Sequence, residues 1–181
     1  MAEFKEGVAR AIEYAGELGV KQVNCLAGKV NSDSSTQAQS TQAHETFISN
    51  LQYAASNLKT AGFNLLIEPI NSFDIPGFFL TRTDQALKII SEVGASNLLV
   101  QYDIYHAQRS EGELAATLQK HLANIGHVQL ADNPGRNEPG TGEINFKFLF
   151  KHLDAIGYKG WVGCEYKPAS TTTAGLGWMN S

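Results

Sequence analysis

The strongest constraint on this chain is a regular alternation of strand-like and helix-like runs. The first run, residues 3–18, places Phe4, Val8, Ala11, Ile12, Ala15 and Leu18 on one helical stripe, with Gly19 as the stop. A short strand is predicted over Gln22 to Ala27. The polar stretch Asn31 to Gln42 reads as a loop that enters a helix near its end. That helix runs to about Ala61 and carries Phe47, Leu51, Ala54, Ala55 and Leu58. Then follow a strand at Asn64–Glu68, a helix at Arg82–Val93, a strand at Leu98–Asp103 and a helix at Glu113–Leu122. A strand at Gly126–Leu130, a helix at Phe146–Ile156 and a strand at Trp161–Glu165 complete the series. The strand runs are nearly continuous in Leu, Ile and Val, which suits strands covered on both faces. Units of roughly 30 residues imply parallel strands joined by right-handed crossovers. Two architectures fit, a doubly wound open sheet or a (β/α)8 barrel.

Composition narrows the function classes. The 181 residues suffice for one domain with a sizeable core, and 43% of them are apolar. No apolar run approaches the roughly 20 residues needed to cross a bilayer, and the start does not read as a signal peptide. The net charge of −4, without a basic stripe, gives no invitation to nucleic acid or to an anionic membrane. Cys25 and Cys164 are too few for a disulfide framework or a zinc knuckle, and both sit in apolar runs where a buried thiol is expected. A reducing cytoplasm is the expected compartment.

The informative pattern is where the polar residues fall. Glu68, Asp103, Gln129 and Glu165 stand at or near the carboxyl ends of the last four strands, where parallel α/β folds bind ligands. A single strand-end acid is as often a helix cap or a solvated side chain; four in register point to a shared site. Three carboxylates brought together repel, so a cation is expected among them, and all-oxygen donors favour Mg²⁺ or Mn²⁺ over zinc. An anionic substrate then needs cations of its own. Arg136 and Lys167 are suitably placed for a carboxylate, Arg136 more so because its donors pair bidentately. His106, three residues past Asp103, suits a substrate oxygen or the orientation of a ligand. His127 is open between ligand, substrate contact and satisfied core histidine, whereas His44, His121 and His152 read as surface residues on helices. Asn145 reads as the cap of the next helix. No dinucleotide fingerprint, Walker loop or nucleophile elbow is present.

Several motifs carry a resemblance: Leu66-Ile67-Glu68-Pro69-Ile70-Asn71, Gln101-Tyr102-Asp103-Ile104-Tyr105-His106, His127-Val128-Gln129, Arg136 to Asn145, and Gly163-Cys164-Glu165-Tyr166-Lys167-Pro168. In order and spacing they resemble the hydroxypyruvate isomerase family, from about Phe4 to Trp178. The resemblance implies a (β/α)8 TIM barrel of the xylose-isomerase-like type, of which this chain holds only the last five strands, so that residues 1–181 are the C-terminal part of one incomplete barrel domain. It implies that Glu68, Asp103, Gln129 and Glu165 ligate one divalent metal, and that Glu68 and Glu165 exchange a proton. The activity implied is the interconversion of hydroxypyruvate and 2-hydroxy-3-oxopropanoate (tartronate semialdehyde) through an enediolate, without redox cofactor or nucleotide. Phe73 to Phe78 and Asn24 to Leu26 fit less well with the sibling that isomerises 2-oxo-tetronate. Metal-dependent DNA-repair endonucleases share the barrel type, but they need histidine-rich multi-zinc sites and a basic groove that this sequence does not offer. A non-catalytic fragment that keeps the ligands is the remaining reading. Five strands in place of eight leave open edges near Val23 and Val162, which makes a homo-oligomer through those edges an expectation.

Overall fold

The computed structural model describes residues 2–30 and 37–180. The chain forms two compact units, Met1–Gln101 and Tyr102–Ser181. In the first, α1 (Ala2–Leu18) leads to β1 (Gln22–Asn24), α2 (Gln37–Thr60), β2 (Asn64–Ile67), α3 (Thr83–Val93) and β3 (Leu98–Asp103). The last two residues of β3, Tyr102 and Asp103, open the second unit. That unit continues with α4 (Ile104–Ser110), α5 (Leu114–His121), β4 (Ile125–Leu130), α6 (Phe146–Ala155), β5 (Val162–Cys164) and a 3₁₀ helix at Ala174–Asn180.

All recorded strand pairings are parallel. In the first unit β1 runs beside β2 with Asn24 opposite Leu66, and β2 beside β3 with Ile67 opposite Val100. In the second, β4 runs beside β5 with Gln129 opposite Gly163 and Leu130 opposite Cys164. The apolar stripe of α2 is buried as the sequence spacing predicts: Phe47, Leu51, Ala54, Ala55 and Leu58 all lie in the core, with Leu65, Leu66, Ile67, Leu98 and Val100. In the second unit Leu118, Val128, Leu130, Leu149 and Leu153 form the core. Among the described residues, no helix is long and apolar enough to cross a membrane.

The structure corrects several local expectations. The helix α2 already runs from Gln37, so Gln37 to Gln42 are helical rather than loop; Gln and Ala are good helix formers even without an apolar stripe. Residues 31–36 of that predicted loop lie outside the described residues. Leu18 is exposed, because the helix ends there and Gly19, at φ 66°, turns the chain away in a left-handed conformation. Coverage on both faces holds for the buried residues of β2 and β3, but β1 and β5 are only half-buried. Cys164 is exposed rather than buried, because β5 is only three residues long and none of its residues is fully covered. Cys25 is half-buried, and burial pushes its thiol up to about 11. His44, His121 and His152 are half-buried, and His152 Nε2 lies 2.9 Å from the Ala115 carbonyl oxygen.

Candidate active site

In the first unit, Glu68 follows β2 directly and is only 4% exposed. Two neutral amides hold its carboxylate. Asn24 Nδ2 at the end of β1 donates to Oε2 at 2.8 Å, and Gln101 Nε2 on β3 donates to the same oxygen at 2.7 Å. Both donors are uncharged, so they orient the carboxylate by hydrogen bonding alone. Asn71, fully buried, organises the loop behind it by accepting from the backbone N–H groups of Phe73 and Asp74.

In the second unit, Asp103 ends β3 and caps α4. Its Oδ1 accepts from Tyr105 N at 2.8 Å and His106 N at 3.1 Å, which is the arrangement of a helix N-cap. Its Oδ2 is buried and has no hydrogen-bond partner among the described residues. Burial is the main reason that its carboxyl is pushed up to about 6; the neighbouring Glu165 adds to this, while the N–H bonds from His106 and Tyr105 and the Arg136 charge oppose it. An orphaned carboxylate oxygen in this position is what a cation would satisfy.

The groups that would share such a cation are beside it. Asp103, His106 and Glu165 each offer a ligand atom, and these atoms lie within 4.8 Å of one another. His106 lies in the first turn of α4, a helix that the sequence reading missed. Arg136 joins the group from the loop after β4. Its Nη2 donates to Glu165 Oε2 at 2.8 Å and lies 3.4 Å from His106 Nε2. The Arg136 guanidinium also stands over the Tyr105 ring, 5.2 Å from its centroid. Arg109 Nη1 in turn donates to Tyr105 Oη at 2.8 Å.

The model of the xylose isomerase-like TIM barrel family matches residues 1–181. The chain belongs to that family. It is 57% identical over 178 residues to hydroxypyruvate isomerase of Escherichia coli, covering 98% of this chain and 67% of that protein. It is 45% identical to 2-oxo-tetronate isomerase of Cupriavidus necator, again over 98% of this chain and 67% of the other. Among solved structures, that of an AP endonuclease, family 2, from Brucella melitensis superposes with a TM-score of 0.93 at 37% identity, covering 99% of this chain and 67% of that one. The chain thus spans about two thirds of the length of these relatives.

Within this isomerase family chain, the other predicted residues fall as follows. Gln129 lies on β4 opposite Gly163, and strand alternation puts it on the same face as Glu165, which extends β5 by donating its N–H to Leu130 O at 3.0 Å. Lys167 is exposed, and its recorded contacts are made by its backbone: its N–H donates to Arg136 O at 2.7 Å and its carbonyl accepts from Asn137 Nδ2. Those contacts tether the Arg136 loop to the chain beyond Glu165. His127 shares the face of Gln129, and burial lowers the affinity of its ring for a proton. Asn145 caps α6 as predicted, accepting from Phe148 N.

Sequence reasoning missed the supports. Asn24 and Gln101 hold Glu68, and Tyr105 underlies Arg136. Asp132, fully buried, accepts from the N–H groups of Asn133, Gly140, Gly142 and Ile144 and so fixes the loop that carries Arg136. The turn-rich string Asp132-Asn133-Pro134-Gly135 was the available signal, since Asp and Asn hydrogen-bond to nearby backbone in turns.

Proposed function

We propose that this chain carries the metal-holding and acid–base end of an isomerase that interconverts hydroxypyruvate and 2-hydroxy-3-oxopropanoate. In this reading residues 1–181 are the C-terminal part of one barrel domain, and Glu68, Asp103, Gln129 and Glu165 hold one Mg²⁺ or Mn²⁺. The observation that carries it is the orphaned Oδ2 of Asp103 beside Glu165 and His106, in a chain so similar to an isomerase of that substrate. The donor chemistry fits: oxygen donors with one nearby imidazole suit a hard divalent ion, which when bound supplies positive charge to the two adjacent oxygens of the substrate.

The remaining work falls to the chain's own groups. One of Glu68 and Glu165 takes a proton from the substrate's CH₂OH carbon, and the other delivers a proton to the neighbouring carbon; a second proton moves between the two oxygens, so the products are isomers with no net redox change. Arg136 receives the substrate carboxylate, helped by Lys167. His106 donates to or orients a substrate oxygen. In the arrangement described here Arg136 already engages Glu165, so its charge can be shared between that carboxylate and an incoming anion. The substrate is a small hydroxy-oxo acid, and the setting is the cytoplasm. Open strand edges favour assembly into a homo-oligomer.

The test is turnover of hydroxypyruvate by the purified chain with Mn²⁺ or Mg²⁺, run beside 2-oxo-tetronate. Faster turnover of hydroxypyruvate is the expected result. Preference for 2-oxo-tetronate would move the assignment to the sibling, and Mn²⁺ binding without any turnover would mark a non-catalytic fragment.

A further inference from the structure

The His127 ring and Gly163 lie against each other at the base of the proposed donor pair. The pairing of β4 with β5 sets Gln129 opposite Gly163, and His127 lies two residues before Gln129 on the same strand face. A Cβ built on Gly163 would stand 2.8 Å from His127 Nε2 and 3.5 Å from Gln129 Cγ. The first distance is one that no side chain can occupy unless the ring moves. The φ of Gly163 does not lie in the left-handed region, so its lack of a side chain answers to space and not to backbone conformation. On its other edge the ring presents Nδ1, which is buried without a hydrogen-bond partner among the described residues. A ring kept at the cost of an unpaired nitrogen, in a space that the neighbouring strand leaves clear, is held there by shape.

We propose that His127 is a positioning residue: its imidazole fills the space above Gly163 and thereby sets the separation of the Gln129 amide from the Glu165 carboxylate, which lies two residues beyond Gly163 on the same face. This rests on the reading of Gln129 and Glu165 as metal donors. The ring acts through β5 and not on substrate. Gly163→Ala pushes the ring and β5 apart, and His127→Ala lets them collapse together. Combining the two fits a methyl into the space that the ring has left.

The experiment is a double-mutant cycle on the full chain, with Mn²⁺ affinity measured by calorimetry and kcat and KM measured for hydroxypyruvate. Gly163→Ala is expected to weaken Mn²⁺ binding by about 10–100-fold, the range for supports of metal ligands, and to lower kcat more than it raises KM. His127→Ala is expected to weaken binding less. The double variant should recover at least about tenfold of the loss caused by Gly163→Ala alone. If Gly163→Ala does not fold, the double variant still decides, since a folded, Mn²⁺-binding chain is the expected result and a second failure to fold overturns the pairing. Losses that simply multiply would also overturn it, as would unchanged Mn²⁺ affinity in Gly163→Ala. A wild-type chain that binds Mn²⁺ yet turns over no substrate sinks the isomerase reading alone and leaves the cycle readable on Mn²⁺ affinity. A wild-type chain that binds no Mn²⁺ sinks both.

Discussion

The two glutamates proposed to exchange the proton stand at strand ends of opposite character. Glu68 follows a strand whose residues are almost wholly buried and is held by two amides that have no other charge to offer. Glu165 follows a three-residue strand, its side chain is 48% exposed, and it is held by the charged partner of an ion pair, the Arg136 side chain. The first carboxylate is fixed before any ligand arrives, by groups that cannot leave with it. The second is held by a group that the substrate itself would recruit. Preorganisation and responsiveness are thus divided between the two ends, and that division can be tested.

The largest expected effect breaks the symmetry of the pair. Glu68→Gln and Glu165→Gln should each slow exchange of the substrate's carbon-bound proton with solvent by about 10² to 10⁴, measured by NMR in D₂O. Their stabilities should differ. Glu68→Gln sets an amide against two amide donors and should cost about 1–3 kcal/mol in denaturant unfolding, whereas Glu165→Gln, at a half-exposed pair, should cost about 0–1 kcal/mol. Equal costs would remove the contrast.

Removing a support sharpens it further. Gln101→Ala and Asn24→Ala should each weaken Mn²⁺ binding by about 10–100-fold, while Arg109→Lys, one step removed through Tyr105, should leave it within a few-fold. Calorimetric titration with Mn²⁺ reads both.

Asp103 supplies the pH dependence. With its carboxyl pushed up to about 6 against an ordinary 3.8, the folded chain binds more protons than the unfolded chain between those values. Stability of the metal-free protein should therefore fall as pH rises through that window, by on the order of 2–3 kcal/mol. Mn²⁺ affinity should run the other way and drop up to about tenfold per unit as pH falls below 6. Asp103→Asn should flatten the stability profile and abolish the affinity profile, with thermal unfolding and Mn²⁺ titration between pH 4 and 8 as the measurements. The smallest effect is expected at Arg136. Replacement by Lys keeps the charge but loses the planar fork, and should raise KM for hydroxypyruvate several-fold with a smaller change in kcat.

What was legible in the sequence follows from what periodicity can carry. The succession of strands and helices and the stripe of α2 were readable because buried positions repeat at fixed spacings, and the strand-end acids because they interrupt apolar runs. The helix α4 was missed because its seven residues are too short to show a period, although Asp103 before Ile104-Tyr105 is a cap signal in retrospect. The amides that hold Glu68 were invisible for a different reason: Asn24 and Gln101 lie 44 and 33 residues from it, and nothing local marks such a pair. The exposure of Cys164 went unread because residue type alone does not reveal how short and open its strand is.

The chain's two tryptophans occupy contrasting surroundings. Trp161, just before β5, is 84% exposed, while Trp178 is half-buried, stacks on Phe150 at 5.9 Å and donates its indole N–H to Tyr166 Oη. Intrinsic fluorescence therefore holds two separable signals, a red-shifted one open to iodide quenching and a blue-shifted one that it reaches poorly. Trp178 emission reports whether the segment after Lys167 stays docked on α6, and Trp161 emission reports whether anything settles beside β5. Each can be followed during metal titration or assembly without attaching a label to the protein.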